Sequence, residues 1–466
     1  MQSKKDQLQA HLFVLGRVVS ALTRGEPDAA ETPMRRFTSA ALGGILIAAL
    51  ILGGFAVGGL IFPRTGTAWR TPGTLIIDKN TGTRYVLDGD VLHPLLNYAS
   101  ARLAMGAQAP QASVPSATLE DVRRGPAIGI PGAPDSLPAP TRLDGHGWTL
   151  CADPGTPAAR TTTAVDDARP LTPLAKDHAL LVRVPAGTLY LAWHDQRMPI
   201  PDRATLAALG YGSASPWPVS DVWVAALTAG PDLTAPPVPH RGDKGPRIAG
   251  HDTRAGQILA ARSVTDGADT DYFLTLTDGI APLTATQAAL LLGDPRTRAA
   301  YPGGRVAPVP VTAADAAAAA PTAPQQTSGA LPPTPPPLVQ PTYGRAQAPC
   351  VQLVLTAKGT LAAAPRLGLS NASPADTDPG SPRALLTPGA GVLAQAVTAT
   401  EPGPSYLVTD LGVKYPLASG AASALGYSTS PRALPAALLD LIPTGPVLDP
   451  KAALVEQPVT PATPKQ

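Results

Sequence analysis

Gly82-Thr-Arg84-Tyr85-Val-Leu-Asp88-Gly-Asp90-Val-Leu-His93-Pro94-Leu-Leu-Asn97-Tyr-Ala-Ser-Ala-Arg102-Leu-Ala-Met-Gly106 is the stretch on which the fold turns. Arg84–Leu87 reads as a strand, Asp88-Gly-Asp90 as a turn, and Val91–Pro94 as a further extended piece. An apolar helical run follows and closes at Gly106. Ahead of it lies one more strand, Thr74-Leu-Ile-Ile-Asp78. The same plan recurs three times. Leu180–Val184, Leu189–Trp193, Pro199 and Ala208-Leu-Gly-Tyr211 make a second unit. Ile258–Arg262, Asp271-Tyr-Phe-Leu274, Pro282 and Leu290-Leu-Leu-Gly293 make a third. Val392–Gln395, Tyr406–Thr409, Pro416 and Ala424-Leu-Gly-Tyr427 make a fourth. Tyr85, Tyr190, Tyr272 and Tyr406 precede Pro94, Pro199, Pro282 and Pro416 by 9, 9, 10 and 10 residues. These eight residues are the repeat anchors. Each proline is expected to open the helix, and each tyrosine to pack its ring against that helix. Gly125-Pro126, Gly230-Pro231 and Gly445-Pro446 echo one another after three of the units. The units start at irregular intervals, which excludes a regular solenoid or propeller and suggests small lobes on a common centre.

Composition agrees with lobes on tethers. Proline makes up 56 of 466 residues, so one large globule is disfavoured. Hydrophobic residues are 44% and net charge is +2, so wholesale disorder is disfavoured too. A net +2 without basic clusters argues against nucleic-acid binding.

Phe37–Pro63 carries no charge and is expected to form an uncleaved single transmembrane helix. Lys4, Lys5, Arg17, Arg24, Arg35 and Arg36 precede it, and only Arg64 and Arg70 follow closely. The positive-inside rule then puts the N-terminus in the cytoplasm and the C-terminal domain outside. Gly54 and Gly58 have the small-residue spacing that lets two helices approach, although glycine is common in such helices anyway. Leu8, Leu12, Leu15, Val19 and Leu22 form one apolar stripe, which must lie on a membrane or a partner protein. The few basic residues beside it favour a partner.

The two cysteines, Cys151 and Cys350, lie in strand-like segments of the outer region. One disulfide is expected, strapping distant segments into a central domain. No Gly-Lys pair occurs, so there is no P-loop. The histidines lack metal-ligand spacing, and no nucleophile elbow accompanies His194-Asp195, which reads as a hairpin turn. No catalytic residue, metal or cofactor is expected.

A family resemblance rests on particular residues. They are Arg24-Gly25-Glu26, Pro33-x-Arg35-Arg36, Gly82-x-Arg84-Tyr85-Val86, His93-Pro94-x-x-Asn97-x-Ala99-Ser100-Ala101-Arg102-Leu103, Ile128–Pro134 and Trp148-x-x-Cys151. The chain resembles EccB, the single-span subunit of the type VII (ESX-type) secretion membrane complex. The resemblance implies a cytoplasmic segment, one span, and an outer core flanked by four lobes and tied by a disulfide. It also implies assembly with EccC, EccD, EccE and a mycosin protease, in homo-oligomeric form, in the cell membrane. Some members carry an ATPase label.

The expected fold class is therefore a membrane-anchored α+β protein. It has an N-terminal amphipathic helix, one transmembrane helix, and an extracytoplasmic mixed α/β core with four small β-hairpin-plus-helix repeat lobes. The expected divisions are 1–36 (amphipathic helix and loop), 37–63 (span), 64–126 (lobe 1), 127–179 (core) and 180–233 (lobe 2). They continue as 234–302 (lobe 3), 303–349 (Pro/Ala-rich linker), 350–391 (core), 392–448 (lobe 4) and 449–466 (tail). The expected role is a structural scaffold of the export channel. The alternatives are a cell-wall-binding module and an ATPase.

Overall fold

A computed structural model describes residues 4–24, 33–61, 67–143, 145–153, 160–166, 169–262, 270–320, 331–341, 347–371, 384–398 and 402–458. The expected Arg-Gly-Glu loop beyond Arg24, the linker stretches 321–330 and 342–346, and the tail after 458 lie outside the described residues.

Two helices come first, α1 (Lys4–Arg24) and α2 (Pro33–Ile61). The expected membrane-anchored fold class is corrected here. Among the described residues no helix is long and apolar enough to cross a membrane. The single-pass topology read from the charge-free run falls with the span. The body that follows is a mixed α/β fold of several separate sheets.

At its centre is a six-stranded sheet. Its strand order is Ala384–Leu385, Thr161–Val165, Gly147–Ala152, Gln347–Val354, Arg366–Asn371 and Thr172–Pro173. Gly147–Ala152 and Gln347–Val354 run antiparallel with Cys151 directly opposite Cys350. A local dyad thus passes through the cysteine pair. One face of this sheet carries Trp148, Leu150, Val351 and Leu353 into the main hydrophobic core. Trp148 and Leu150 are fully buried, and each such side chain is worth roughly 1.5–3 kcal/mol of transfer free energy.

Four further sheets share one topology. In lobe 1, Leu75–Asp78, Arg84–Asp88 and Val91–Pro94 form an antiparallel meander. The chain then adds Gln111–Val114 parallel to the first strand and Arg123–Arg124 parallel to the third. Lobe 2 repeats this five-strand order, and lobes 3 and 4 form the first four strands. The lobe helices, in chain order, are α3 (Tyr98–Met105), α4 (Arg203–Ala208), α5 (Asp221–Ala225), α6 (Ala285–Gly293), α7 (Ala313–Ala318), α8 (Ala421–Leu425) and α9 (Ala436–Leu439). Each lobe is thus richer than a hairpin plus a helix. Lobes 2, 3 and 4 carry a helix on each face, and in lobe 1 the short 3-10 turn Ser116–Leu119 takes the second place.

The expected linker and tail also shrink. Val309–Val311 and α7 belong to lobe 3, and Leu331 is buried beside lobe 2. Glu456–Gln457 pairs with Ala127–Ile128, returning the chain's last described segment to lobe 1.

The lobes associate in pairs. α3 packs on α8, joining lobes 1 and 4, and α4 packs on α6, joining lobes 2 and 3. The molecule is a pseudo-two-fold duplication. Lobe 1, a proline-rich stretch, a core strand pair and lobe 2 form one half, and lobe 3 begins the same series again through lobe 4.

Candidate functional site

Cys151 and Cys350 are bonded, fully buried and joined at a Cα separation of 4.1 Å across neighbouring strands. The bond ties two residues 199 apart in sequence at the dyad between the halves. Around it the lobes are bolted to the core by polar contacts. Trp223 Nε1 of α5 donates to Pro349 O at 3.0 Å, and Trp217 Nε1 donates to Val339 O at 2.9 Å. His194 and Asp195 form a turn with left-handed backbone at both positions. Asp195 accepts from Leu367 N at 2.6 Å, so this pair pins lobe 2 to the core.

All eight repeat anchors lie in strands. Tyr85, Tyr190 and Tyr406 stand directly opposite Pro94, Pro199 and Pro416 on neighbouring strands. In lobe 3 the register puts Phe273, not Tyr272, opposite Pro282. A shift of one residue turns a strand side chain to the other face. Tyr272 accordingly packs with α6, while Tyr85, Tyr190, Phe273 and Tyr406 face away from α3, α4, α6 and α8. The expectation that each ring packs on the helix after its proline therefore holds for Tyr272 alone.

The prolines do not open helices either. Pro94 and Pro416 end third strands, Pro199 and Pro282 stand one residue before the end, and in lobes 1 and 4 the next residue resumes the ladder, with Leu95 N donating to Arg84 O and Leu417 N to Ser405 O. Proline is tolerated there because its missing N–H falls in a non-hydrogen-bonded pair. Helix starts are set instead by Asn97, Asp202 and Thr284, whose side chains accept from Ser100 N, Thr205 N and Gln287 N.

Other recurrent residues escaped the sequence reading. Arg197 and Lys414, each two residues before its lobe's proline, cap the end of the second helix. Arg197 Nη1 donates to Leu227 O at 2.5 Å, and buried Lys414 Nζ to Leu439 O at 2.6 Å. The glycine of each Gly-Pro echo donates to the carbonyl of the same position: Gly125 to Leu92, Gly230 to Arg197 and Gly445 to Lys414. A Cβ at Gly125 or Gly445 would come within 2.4 Å of the His93 or Tyr415 ring, which favours glycine at both, and at Gly230 it would press on Gln196 and Met198 at 3.0 Å.

The two helix seams differ. Arg84 and Arg102 lie 5.2 and 5.9 Å from the Tyr98 ring, and Arg102 donates to Leu425 O at 3.3 Å across the α3–α8 seam. Aligned by the N-caps Asn97 and Thr284, the counterparts of Tyr98 and Arg102 on α6 are Ala285 and Ala289. These alanines, with Ala204 and Ala208 of α4, line an open groove of about 460 Å³.

On α1, Leu8, Leu12, Leu15 and Leu22 are exposed and Val19 is half-buried, so the stripe is uncovered over most of its length. A Cβ at Gly54 would meet nothing within 4 Å, and Gly58 lies further along α2, where side-chain surroundings are outside the described residues. Among the described residues no group of histidine, cysteine or carboxylate side chains could hold a metal.

Comparison with known proteins agrees over the whole chain. The family model described as "Type VII secretion system ESX-1, transport TM domain B" matches residues 1–462. The ESX-3 secretion system ATPase EccB3 of Mycolicibacterium smegmatis is 30% identical, over 97% of this chain and 90% of that protein. The ESX-1 secretion system ATPase EccB1 of Mycobacterium tuberculosis is 28% identical, over 99% and 96%. Among solved structures, a chain of an intact ESX-5 inner membrane complex superposes with a TM-score of 0.59 at 26% identity, covering 100% of this chain and 98% of that one. A chain of the EccB3 dimer from the ESX-3 core complex gives a TM-score of 0.53 at 26% identity, covering 82% and 99%.

Proposed function

This chain belongs to the EccB family, components of the ESX type VII secretion inner membrane complex, and we propose that it scaffolds the extracytoplasmic side of the export channel. The observation that carries this reading is the architecture. A buried disulfide at the dyad, a shared core and two helix seams make one stiff body out of four lobes. A disulfide persists in oxidising compartments, which supports placing residues 67–458 outside the cytoplasm. The uncovered stripe of α1 supplies a docking face for another subunit, with EccC, EccD, EccE and the mycosin as candidates. A further copy of the chain is a natural partner, in line with the similar EccB3 chain, which was solved as a dimer.

Tyr85 is buried and Tyr190, Tyr272 and Tyr406 are half-buried, which weakens the reading as a wall-glycan grip. The relatives' names include ATPase, yet no P-loop is present in the sequence. The test is to replace Leu8, Leu12 and Leu15 with glutamate and, separately, to mutate both cysteines to alanine, then isolate the complex from membranes. Both changes should reduce recovery of the partner subunits. Full recovery in both cases, or ATP turnover that follows the purified chain through every step, would replace the scaffold reading.

A further inference from the structure

The two halves carry different residues at one pair of equivalent positions on the central sheet, Trp148 and Gln347. The dyad through Cys151 and Cys350 relates Trp148 of the first half to Gln347 of the second. Trp148 pairs with Val165 and Gln347 with Asn371, so the two occupy equivalent ladder positions on the same face. Trp148 is fully buried, and its Nε1 donates to Gly145 O at 2.8 Å. Gln347 is half-buried, and a pocket of about 280 Å³ opens beside it.

Leu174, Val339 and Leu369 wall this pocket and sit at the margin of the same core that Trp148 fills. Gln347, Asn371 and His178 supply its polar groups. Among the described residues, the side-chain amides of Gln347 and Asn371 bond to no other residue. His178 Nδ1 is held by Asp177 at 2.9 Å, which leaves Nε2 for a ligand. No carboxylate, lysine or arginine is among the described lining residues, so the chemistry suits an uncharged molecule. The volume is near the lower end of ligand pockets, roughly 300–1,000 Å³, which limits the occupant to one or two fused rings. An apolar wall with a few convergent hydrogen-bonding groups suits a flat ring with a polar edge.

We propose that this pocket binds a small, neutral, planar heteroaromatic molecule, held where the opposite half holds its own indole. Indole itself is the probe, used with the full chain. Saturation-transfer NMR should show contact between indole and the protein. Millimolar indole should raise the melting temperature by about 1–2 °C. Gln347→Trp fills the pocket from within and should abolish both signals, and Asn371→Ala should weaken them. A photoreactive indole should label residues 347–371 or 172–178. An unchanged response in Gln347→Trp overturns the proposal, as does the absence of saturation transfer in the unmodified chain. If Gln347→Trp does not fold, the photolabel decides, and labelling confined to other segments overturns the proposal.

Discussion

Tyr211 and Tyr427 close equivalent helices and donate their phenols to Pro336 O at 2.7 Å and Pro138 O at 2.9 Å. Burial pushes both phenols above the ordinary tyrosine value of ~10. The fold therefore favours the protonated form. Their contribution is complete below about pH 10 and is lost as pH rises above it. Tyr211→Phe with Tyr427→Phe should lower stability at pH 7 by roughly 1 kcal/mol for each lost bond. It should also flatten the decline above pH 10, read by denaturant titration at several pH values. Tyr301 and Tyr415, raised by burial as well, retain part of that slope. At the same scale, Lys414→Met takes one of two donors from Leu439 O, leaving Ile442 N, and should cost about 1 kcal/mol. A melting curve unchanged by this substitution would deny Lys414 its capping role. The Leu-Gly-Tyr ends of these helices were visible in the sequence. Lys414 was not, because a lone lysine in a short strand reads as solvent-facing until its neighbours are known.

Each seam depends on close approach of short helices. A Cβ at Gly293 would lie 2.4 Å from Ala208 Cβ, so Gly293→Leu should part α4 from α6. The expected result is protease cleavage between lobes 2 and 3 at concentrations that leave the wild type intact. Resistance equal to the wild type would show that the seam tolerates the added bulk. The element plan was largely legible here. Strand, turn, strand and helix could be read from alternation and from Asp-Gly turns. The parallel edge strands, such as Arg123–Arg124 and Thr228–Ala229, were not, since two residues carry no periodicity. The register of lobe 3 was also hidden, because Tyr272 and Phe273 are adjacent aromatics and only strand pairing tells which faces which way.

For the whole molecule, the disulfide closes a very long loop. The chain-entropy estimate for removing it is about 5 kcal/mol, less any native strain. Cys151→Ala with Cys350→Ala should therefore unfold at markedly lower denaturant. The central strands should still pair, because Trp148, Leu150, Val351 and Leu353 pack without the bond. A midpoint within error of the wild type would mean that packing alone sets the stability of the core.

The sequence by itself determined the four-fold recurrence, the cysteine pair, the family and the lack of a P-loop. Each is written in residue types at short range, or in an even count of two. It misled where a property depends on what surrounds a segment. A charge-free run was read as a membrane span, and among the described residues no helix meets that demand. Only the tertiary structure decided that lobes 1 and 4, and lobes 2 and 3, join by their helices, and that the cysteines sit on a dyad relating two halves. Residues such as Arg102 and Leu425, or Trp148 and Leu353, lie hundreds of positions apart along the chain. Their contact is fixed by how whole faces bury against each other, and no local pattern records it.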